Sequence, residues 1–135
     1  DEEVMVVKNT TSDRAVTVNK MLNNEEIIFF QNLVRKIPVT DNVLEYAVKL
    51  VHRTRPGQAG TPEMINKYLS WGAGPRASQN LILGAKCYAA MKGKYSPDIE
   101  DVQAVATPIL NHRIFKNYKA EAEGMSVEKI IEAIL

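Results

Sequence analysis

The chain has 135 residues and a formal net charge of +1, from 17 Lys and Arg against 16 Asp and Glu, so charge alone gives it no pull towards polyanions. Its composition, 45% hydrophobic and 24% charged, excludes an intrinsically disordered chain and predicts one globular domain with a core. The single cysteine excludes an internal disulfide, no apolar run approaches the ~18–20 residues that span a bilayer, and without a secretory signal we expect a cytoplasmic protein.

The N-terminal segment is predicted to be a short helix followed by a connection. The acidic residues that open the chain suit the positive end of a helix from Asp1 to Val7. Lys8 to Asn24 is polar, rich in Asn and Thr and without periodicity, which predicts an irregular segment. The chain begins with Asp rather than Met, so we expect a piece of a longer protein. We therefore separate residues 1–22, a helix and connection, from a helical domain at 23–135.

The next helix is predicted to begin at Asn23 or Asn24 and to end before Pro38. An Asn cap followed by Glu25 and Glu26 is a typical helix start. Apolar residues then recur at three- and four-residue spacing, which predicts a core stripe rather than a binding groove: Ile27, Phe30, Val34 and Ile37.

A third helix is predicted to begin after Thr40 and to stop at the segment Arg53-Thr54-Arg55-Pro56-Gly57. Its predicted buried face is made of Leu44, Ala47, Val48 and Val51. Residues 58–74 are irregular, with a short helical turn expected around Pro62 to Tyr68.

Three further helices follow from their start signals. Gly74-Pro75 opens a long helix through about Lys92, ended by Gly93, because Pro is favoured at the first helical position. Ser96-Pro97-Asp98 predicts another start with Ser96 as the cap, and Ser126 caps the last helix. Their predicted inward residues are Leu81, Ala85, Tyr88 and Ala89; Ile99, Val102, Val105, Ala106 and Ile109; and Val127, Ile130, Ile131 and Ile134. No stretch alternates with period two over a convincing length, so any strands should be short, and we expect an all-α bundle of about five or six helices.

Self-contained catalysis is not predicted. The chain has no G-x-x-x-x-G-K-[ST] phosphate loop and no apolar strand ending in Asp-Glu. His52, His112 and Cys87 are too few and too scattered for a zinc site. Cys87 lies mid-helix among Ala and Tyr, which predicts a buried, inert thiol.

One segment, Trp71 to Ser78, suggests a site. It places Arg76 in the first turn of a helix, where free N–H groups and the helix dipole already make the potential positive. A cation is mildly unfavourable there unless an anion binds, and then the helix end and the guanidinium both favour that anion. Gly72 and Gly74 allow a close backbone approach. The arrangement indicates a phosphate sensor; a solvated arginine after an ordinary Gly-Pro helix start is the alternative.

Several segments in order resemble the lid domain of MoxR-type AAA+ ATPases. The passage from Glu45 to Pro56 resembles the family's Tyr-x-x-x-Leu-Val-x-x-Thr-Arg helix, and Gly72 to Ala77 resembles its Gly-Ala-Ser-Pro-Arg-Ala sensor 2 motif, with Gly74 in place of Ser. Ala85 to Val102 is similar to the next family passage, with Lys94 in place of Arg, and Pro108 to Arg113 matches its Val-Leu-x-His-Arg element. The ending, from Glu123-Gly124 onwards, fits as well.

This resemblance implies an AAA+ helical lid that works with an upstream nucleotide-binding core of the same protein. ATP and Mg²⁺ would be bound by that parent protein and not by this segment alone, which would have no ATPase activity. Arg76 would then reach the γ-phosphate as the sensor 2 arginine, with Gly74, Pro75 and Ala77 forming the rest of the motif. It would stabilise charge on the transferring phosphoryl group and couple hydrolysis to a lid movement.

The same resemblance implies partners. Such ATPases form rings, usually hexamers, in which the lid also packs against a neighbouring subunit. MoxR-like proteins are expected to act as chaperones in the maturation of enzymes or complexes, often with a von Willebrand factor A-domain partner. No residue of this chain identifies the client.

Other residues leave alternatives open. Arg53 and Arg55, at a helix C-terminus, suit a capping role or a nucleotide or subunit contact. A basic cluster, His112, Arg113, Lys116 and Lys119, is either a solvated helix end or a contact with the core or a neighbour. It also supports the alternative function, a non-enzymatic helical interaction or nucleic-acid-binding module, against which the near-zero net charge and the lack of interleaved aromatic residues argue. Tyr68 and Trp71 are predicted to pack in the core, with adenine stacking by them as the alternative.

Overall fold

The computed structural model describes residues 1–13 and 18–135 and confirms the all-α prediction. In those residues there are eight helices, more than the five or six expected, because the short α7 was not predicted and the turn near Tyr68 is a helix. One two-stranded sheet completes the fold. The elements are α1 (Glu2–Thr11), α2 (Asn24–Lys36), α3 (Asp41–Arg53), α4 (Glu63–Tyr68), β1 (Leu69–Trp71), α5 (Pro75–Met91), α6 (Ile99–Leu110), β2 (Phe115–Lys116), α7 (Tyr118–Ala122) and α8 (Val127–Glu132).

Helix α1 is longer than predicted. It continues past Val7 to Thr11, so the prediction of an irregular segment from Lys8 was wrong for its first turn. The hydroxyls of Thr10 and Thr11 donate to the carbonyl oxygens of Val6 and Val7, four residues back in the same helix, at 2.8 and 2.7 Å. No residue of α1 is buried. Part of the predicted connection, residues 14–17, lies outside the described residues, and residues 18–23 have no regular secondary structure.

Helix α2 begins where its sequence predicts but does not bury the predicted face. Asn23 Oδ1 accepts from the Glu26 N–H at 2.9 Å, and the Asn23 N–H donates to Glu26 Oε2 at 2.7 Å, which is a complete capping box. Ile27 and Phe30, however, are 44% and 47% exposed, and α2 has no buried residue. The prediction of a core stripe was therefore wrong here. Phe30 and Val34 instead line a shallow groove next to α5.

The core is built around α5, which packs against α2, α3 and α6. Helix α3 contributes Val43 and Leu50 as well as the predicted Ala47 and Val51. The other two predicted core residues of this helix, Leu44 and Val48, are 37% and 43% exposed and line an open groove against α5, so that part of the prediction was wrong. The buried core is completed by Ile65, Tyr68, Leu69, Ala73, Ala77, Leu81, Ala85, Val102, Ala106, Leu110, Ile114, Ala120, Ile130, Ile131 and Ile134.

The junction between α5 and α6 confirms the helix end but corrects the helix start. Gly93, at φ 73°, follows α5 in the left-handed region that glycine favours. The N-cap of α6 is Asp98 and not Ser96, because the Asp98 carboxylate accepts from the Asp101 N–H at 3.2 Å while the Asp98 N–H donates to Asp101 Oδ2 at 2.9 Å. The Lys94 ammonium pairs with the almost fully buried Asp101 at 2.9 Å. Tyr88 of α5 is half-buried rather than internal.

Polar side chains join the end of α4 to Glu123, the residue that follows α7. The antiparallel pair β1–β2 brings the end of α4 close to α7. The Tyr68 hydroxyl donates to Glu123 Oε2 at 2.6 Å, and the Lys67 ammonium donates to the same oxygen at 3.1 Å. These two bonds hold the pKa of the Glu123 carboxyl below its ordinary value of 4.5. Ionised Glu123 therefore stabilises the folded state.

This contact predicts an acid-sensitive contribution to stability. Because the folded pKa of Glu123 is lowered, its contribution is fully present above pH 4.5 and is lost as the pH falls through the lowered value. Tyr68→Phe removes the main cause of the lowered pKa of Glu123, so we expect it to lower the free energy of unfolding at neutral pH. Between neutral pH and about pH 3, the free energy of unfolding of this variant should decrease less than that of the unsubstituted protein. Urea denaturation across this range measures both. Tyr118→Phe, at a tyrosine that is 88% exposed, is the control; an equal flattening in it would contradict the assignment.

Helix α8 returns the chain to the core. Ser126 caps it as predicted, its hydroxyl accepting from the Lys129 N–H at 3.3 Å. After α8, the Leu135 carbonyl accepts a hydrogen bond from the Tyr46 hydroxyl of α3 at 3.1 Å. None of the described helices is both long and apolar enough to cross a membrane.

Candidate functional site

The first turn of α5 has the geometry that the sequence predicts. Gly74 is the N-cap, with φ −85° and ψ 178°, and Pro75 is the first helical residue. Arg76 follows and is exposed, while Ala77 is buried in the core beneath it. The backbone N–H of Ala77 bonds to the Gly74 carbonyl at 2.9 Å, and no side chain in the described part of the protein caps the helix. Arg76 is therefore exposed to solvent, while the next residue, Ala77, holds this turn against the core.

The charge at this helix start is unusual. The first turn of α5 contains no acidic residue, in contrast to α2 and α6, each of which has two. Among the described residues, the salt bridges do not include Arg76. A guanidinium and a helix N-terminus thus combine their positive potential at one exposed point. This point can bind an anion such as a phosphate group.

The backbone before the turn is held by the end of α3. Thr54 is fully buried, and its hydroxyl accepts from the Ala73 N–H at 2.9 Å while donating to the Val51 carbonyl at 2.6 Å. The Arg55 Nε donates to the Ala73 carbonyl at 2.9 Å. Both polar groups of Ala73 are thus bonded by two consecutive side chains.

Gly72 makes a close contact that a larger residue would prevent. A Cβ on Gly72 would lie 2.6 Å from the Arg55 Cα and would also overlap the Thr54 carbonyl. Backbone atoms cannot move aside as a flexible side chain can, so only glycine fits here without displacing the segment. The sequence suggested that Gly72 lets the backbone approach a ligand closely. In the structure, the backbone at Gly72 instead lies close to the backbone at the end of α3.

The sequence pointed to the candidate site but gave no indication of the bonds that hold the segment before it. Capping or an external contact was expected of Arg53 and Arg55, yet Arg55 bonds across to Ala73 while Arg53 is exposed at the end of α3. A threonine and an arginine next to a Pro-Gly turn give no sequence signal for a partner 18 or 19 residues away.

Two predicted burials near the site have opposite outcomes. Tyr68 is 6% exposed and packs in the core, as predicted. Trp71 is 72% exposed, so the prediction that it packs in the core was wrong. It lies in β1, where Leu69 is the buried residue of the strand.

Cys87 is likewise exposed rather than buried, since the buried positions of its helix are Ala85 and Ala89.

The basic cluster after α6 is partly used within the domain. The Lys116 ammonium donates to the Met125 carbonyl at 3.1 Å and pairs with Glu121, also at 3.1 Å. Arg113 is half-buried, and its Nε is buried without a hydrogen-bond partner in the part of the chain that the structure describes. His112 and Lys119 are exposed. Within this cluster, His112 and Lys119 are therefore the exposed members, while Lys116 is bonded within the domain.

Comparison with known proteins adds independent information. The sequence profile of the AAA lid domain family matches residues 61–134. Chaperone MoxR1 of Mycobacterium tuberculosis is 29% identical over 117 residues, and the uncharacterized protein YeaC of Bacillus subtilis is 28% identical over 119 residues; they cover 86% and 88% of this chain. The chain spans about a third of those relatives, 31% and 34%. A crystal structure of a predicted ATPase from Cytophaga hutchinsonii superposes with a TM-score of 0.79 at 34% identity, covering 98% of this chain and 40% of that one.

Proposed function

Because the chain belongs to the AAA lid domain family and is a lid of the MoxR type, we propose that it closes over ATP bound by the nucleotide-binding core of its own protein. Arg76, within Gly74-Pro75-Arg76-Ala77, is the residue that senses the γ-phosphate. The observation that supports this most directly is an exposed guanidinium at a helix start where no described side chain caps the helix, three residues after Ala73, whose N–H and carbonyl are both hydrogen-bonded.

The chemistry follows from charge. In ATP hydrolysis negative charge spreads over the γ-phosphate oxygens, and a fixed positive group near them lowers the barrier. Arg76 supplies a planar fork of N–H donors, and the first turn of α5 supplies backbone N–H groups and its dipole. Mg²⁺, held by the core, would neutralise charge on the phosphates. Because the same arginine loses its phosphate partner when the product leaves, the lid position then depends on the nucleotide state.

The proposal extends to assembly and to cellular role. By its family the whole protein is expected to form a ring, with a hexamer as the usual size, in which the lid also contacts a neighbouring subunit. The similarity to Chaperone MoxR1 supports a chaperone-like role in the maturation of enzymes or complexes, with a von Willebrand factor A-domain protein as a candidate partner.

A direct test compares the lid with the whole protein. We expect the 135-residue chain to fold, to melt cooperatively and to release no phosphate from ATP, because it has no phosphate loop. The full-length protein should hydrolyse ATP in a Mg²⁺-dependent reaction. Circular dichroism melting and a phosphate-release assay measure the two expectations. Hydrolysis by the 135-residue chain, or a full-length protein that neither binds nor hydrolyses ATP, would contradict the proposal.

A further inference from the structure

We propose that Arg55 is a positioning residue for Arg76: its Nε bond to the Ala73 carbonyl fixes the direction in which α5 presents the Arg76 guanidinium. This inference rests on the proposed function of Arg76. It assigns to Arg55 a role that is neither capping of α3 nor contact with the nucleotide.

The segment from Ala73 to Arg76 is held by hydrogen bonds at Ala73 and has open space at Gly74. Ala73 is buried, and its N–H and carbonyl are taken by Thr54 and Arg55 at 2.9 Å each. On the other side of Ala73, a Cβ built on Gly74 meets no described atom within 4 Å, so side-chain packing does not restrain that residue. Only Gly74 and Pro75 separate Ala73 from Arg76.

Arg55 is itself held in place. Its carbonyl accepts from the Thr61 hydroxyl at 2.8 Å, its N–H bonds to the His52 carbonyl at 3.0 Å, and its side chain is partly buried. A bond from an anchored group restrains the turn more than a bond from a mobile surface chain, because less freedom remains to be lost. Glycine on each side of Ala73 makes the unrestrained turn flexible. Loss of the Arg55 bond should therefore widen the range of Arg76 positions without unfolding the domain.

Two substitutions separate positioning from charge. In glutamine the side-chain nitrogen occupies the same place along the side chain as Nε of arginine, so Arg55→Gln keeps a donor for the Ala73 carbonyl and loses the charge. Arg55→Met has a similar length and no donor. If Arg55 acts by positioning, only Met is damaging; if its charge contacts phosphate, both variants are damaging.

The experiment measures steady-state ATP turnover of the full-length protein for Arg55→Met and Arg55→Gln, each with and without Arg76→Ala. We expect Arg55→Met to lower kcat about fivefold, as the loss of one hydrogen bond would, and Arg55→Gln to stay within about twofold. In the Arg76→Ala background, Arg55→Met should cause no further loss, because it acts through Arg76. Lys49→Met, at an exposed cation of α3, is the control and should leave kcat unchanged.

The outcomes that overturn the inference differ from those that overturn the proposed function. Equal losses in Arg55→Gln and Arg55→Met, no loss in Arg55→Met, or a loss that persists undiminished without Arg76 would each remove the positioning role while leaving Arg76 in place. Melting temperatures of the full-length variants check that Arg55→Met remains folded; should it unfold, Arg55→Lys replaces it, with its donor one atom further out and the same expected dependence on Arg76. A normal kcat in Arg76→Ala alone contradicts the proposed function instead.

Discussion

Arg76→Ala in the full-length protein is expected to lower the kcat of the proposed ATP hydrolysis by about tenfold or more while leaving the fold intact. The side chain is exposed and is in none of the salt bridges of the described residues, so its removal breaks no structural contact of that kind. Under the proposed function, the loss of Arg76 acts on turnover because charge accumulates on the phosphoryl oxygens in the transition state. Phosphate release at saturating ATP measures the effect, and Arg76→Lys, which keeps the charge but not the planar fork, should be intermediate.

The same substitution should act on stability in the opposite direction. A cation in the first turn of a helix is unfavourable, so Arg76→Ala is expected to raise the free energy of unfolding by about 0.3–1 kcal/mol. Lys92→Ala, which removes a cation from the other end of α5, is the matched control and should leave kcat unchanged. A normal kcat in Arg76→Ala would remove this residue from the mechanism.

Gly72→Ala is expected to destabilise the domain by about 3 kcal/mol, the upper end of the usual cost of overpacking. The new methyl group would lie 2.6 Å from the Arg55 Cα and overlap the Thr54 carbonyl, and both belong to the backbone that ends α3. Relief requires the segment before α5 to move away from α3, which breaks the two bonds to Ala73. Activity of the full-length protein should therefore fall together with stability. Urea denaturation of the 135-residue chain measures the first effect.

The control for Gly72→Ala is two residues away. A Cβ on Gly74 meets no described atom within 4 Å, and its φ of −85° is open to any residue. We expect Gly74→Ala to cost less than about 1 kcal/mol, the value of a weakened N-cap, and Gly74→Ser to be neutral or slightly stabilising. If Gly72→Ala were as mild as Gly74→Ala, the close contact with α3 would not be the reason for glycine at position 72.

Much of the fold could be predicted because helix ends are set by neighbouring residues. Asn23 with Glu26, Pro75 after Gly74, Gly93 and Ser126 mark helix boundaries that the structure confirms. Capping acts over three or four residues, so the information lies within one turn of sequence. Two boundaries were mispredicted: α1 continues to Thr11, and α6 is capped by Asp98 rather than Ser96, since Asp98 and Asp101 form a reciprocal cap.

The sequence by itself therefore determined where most of the described helices run and placed Arg76 at the start of one of them. Which helix faces are buried was decided only by the tertiary structure. In α3 the runs Val43–Ala47–Leu50 and Leu44–Val48–Val51 have the same spacing, but the packed domain buries the whole first run and leaves Leu44 and Val48 of the second exposed. The restraint on Ala73 was also invisible, because Thr54 and Arg55 reach it only after α3 and α5 have packed together. Local propensity acts over a few residues, whereas burial depends on neighbours that are distant in the chain.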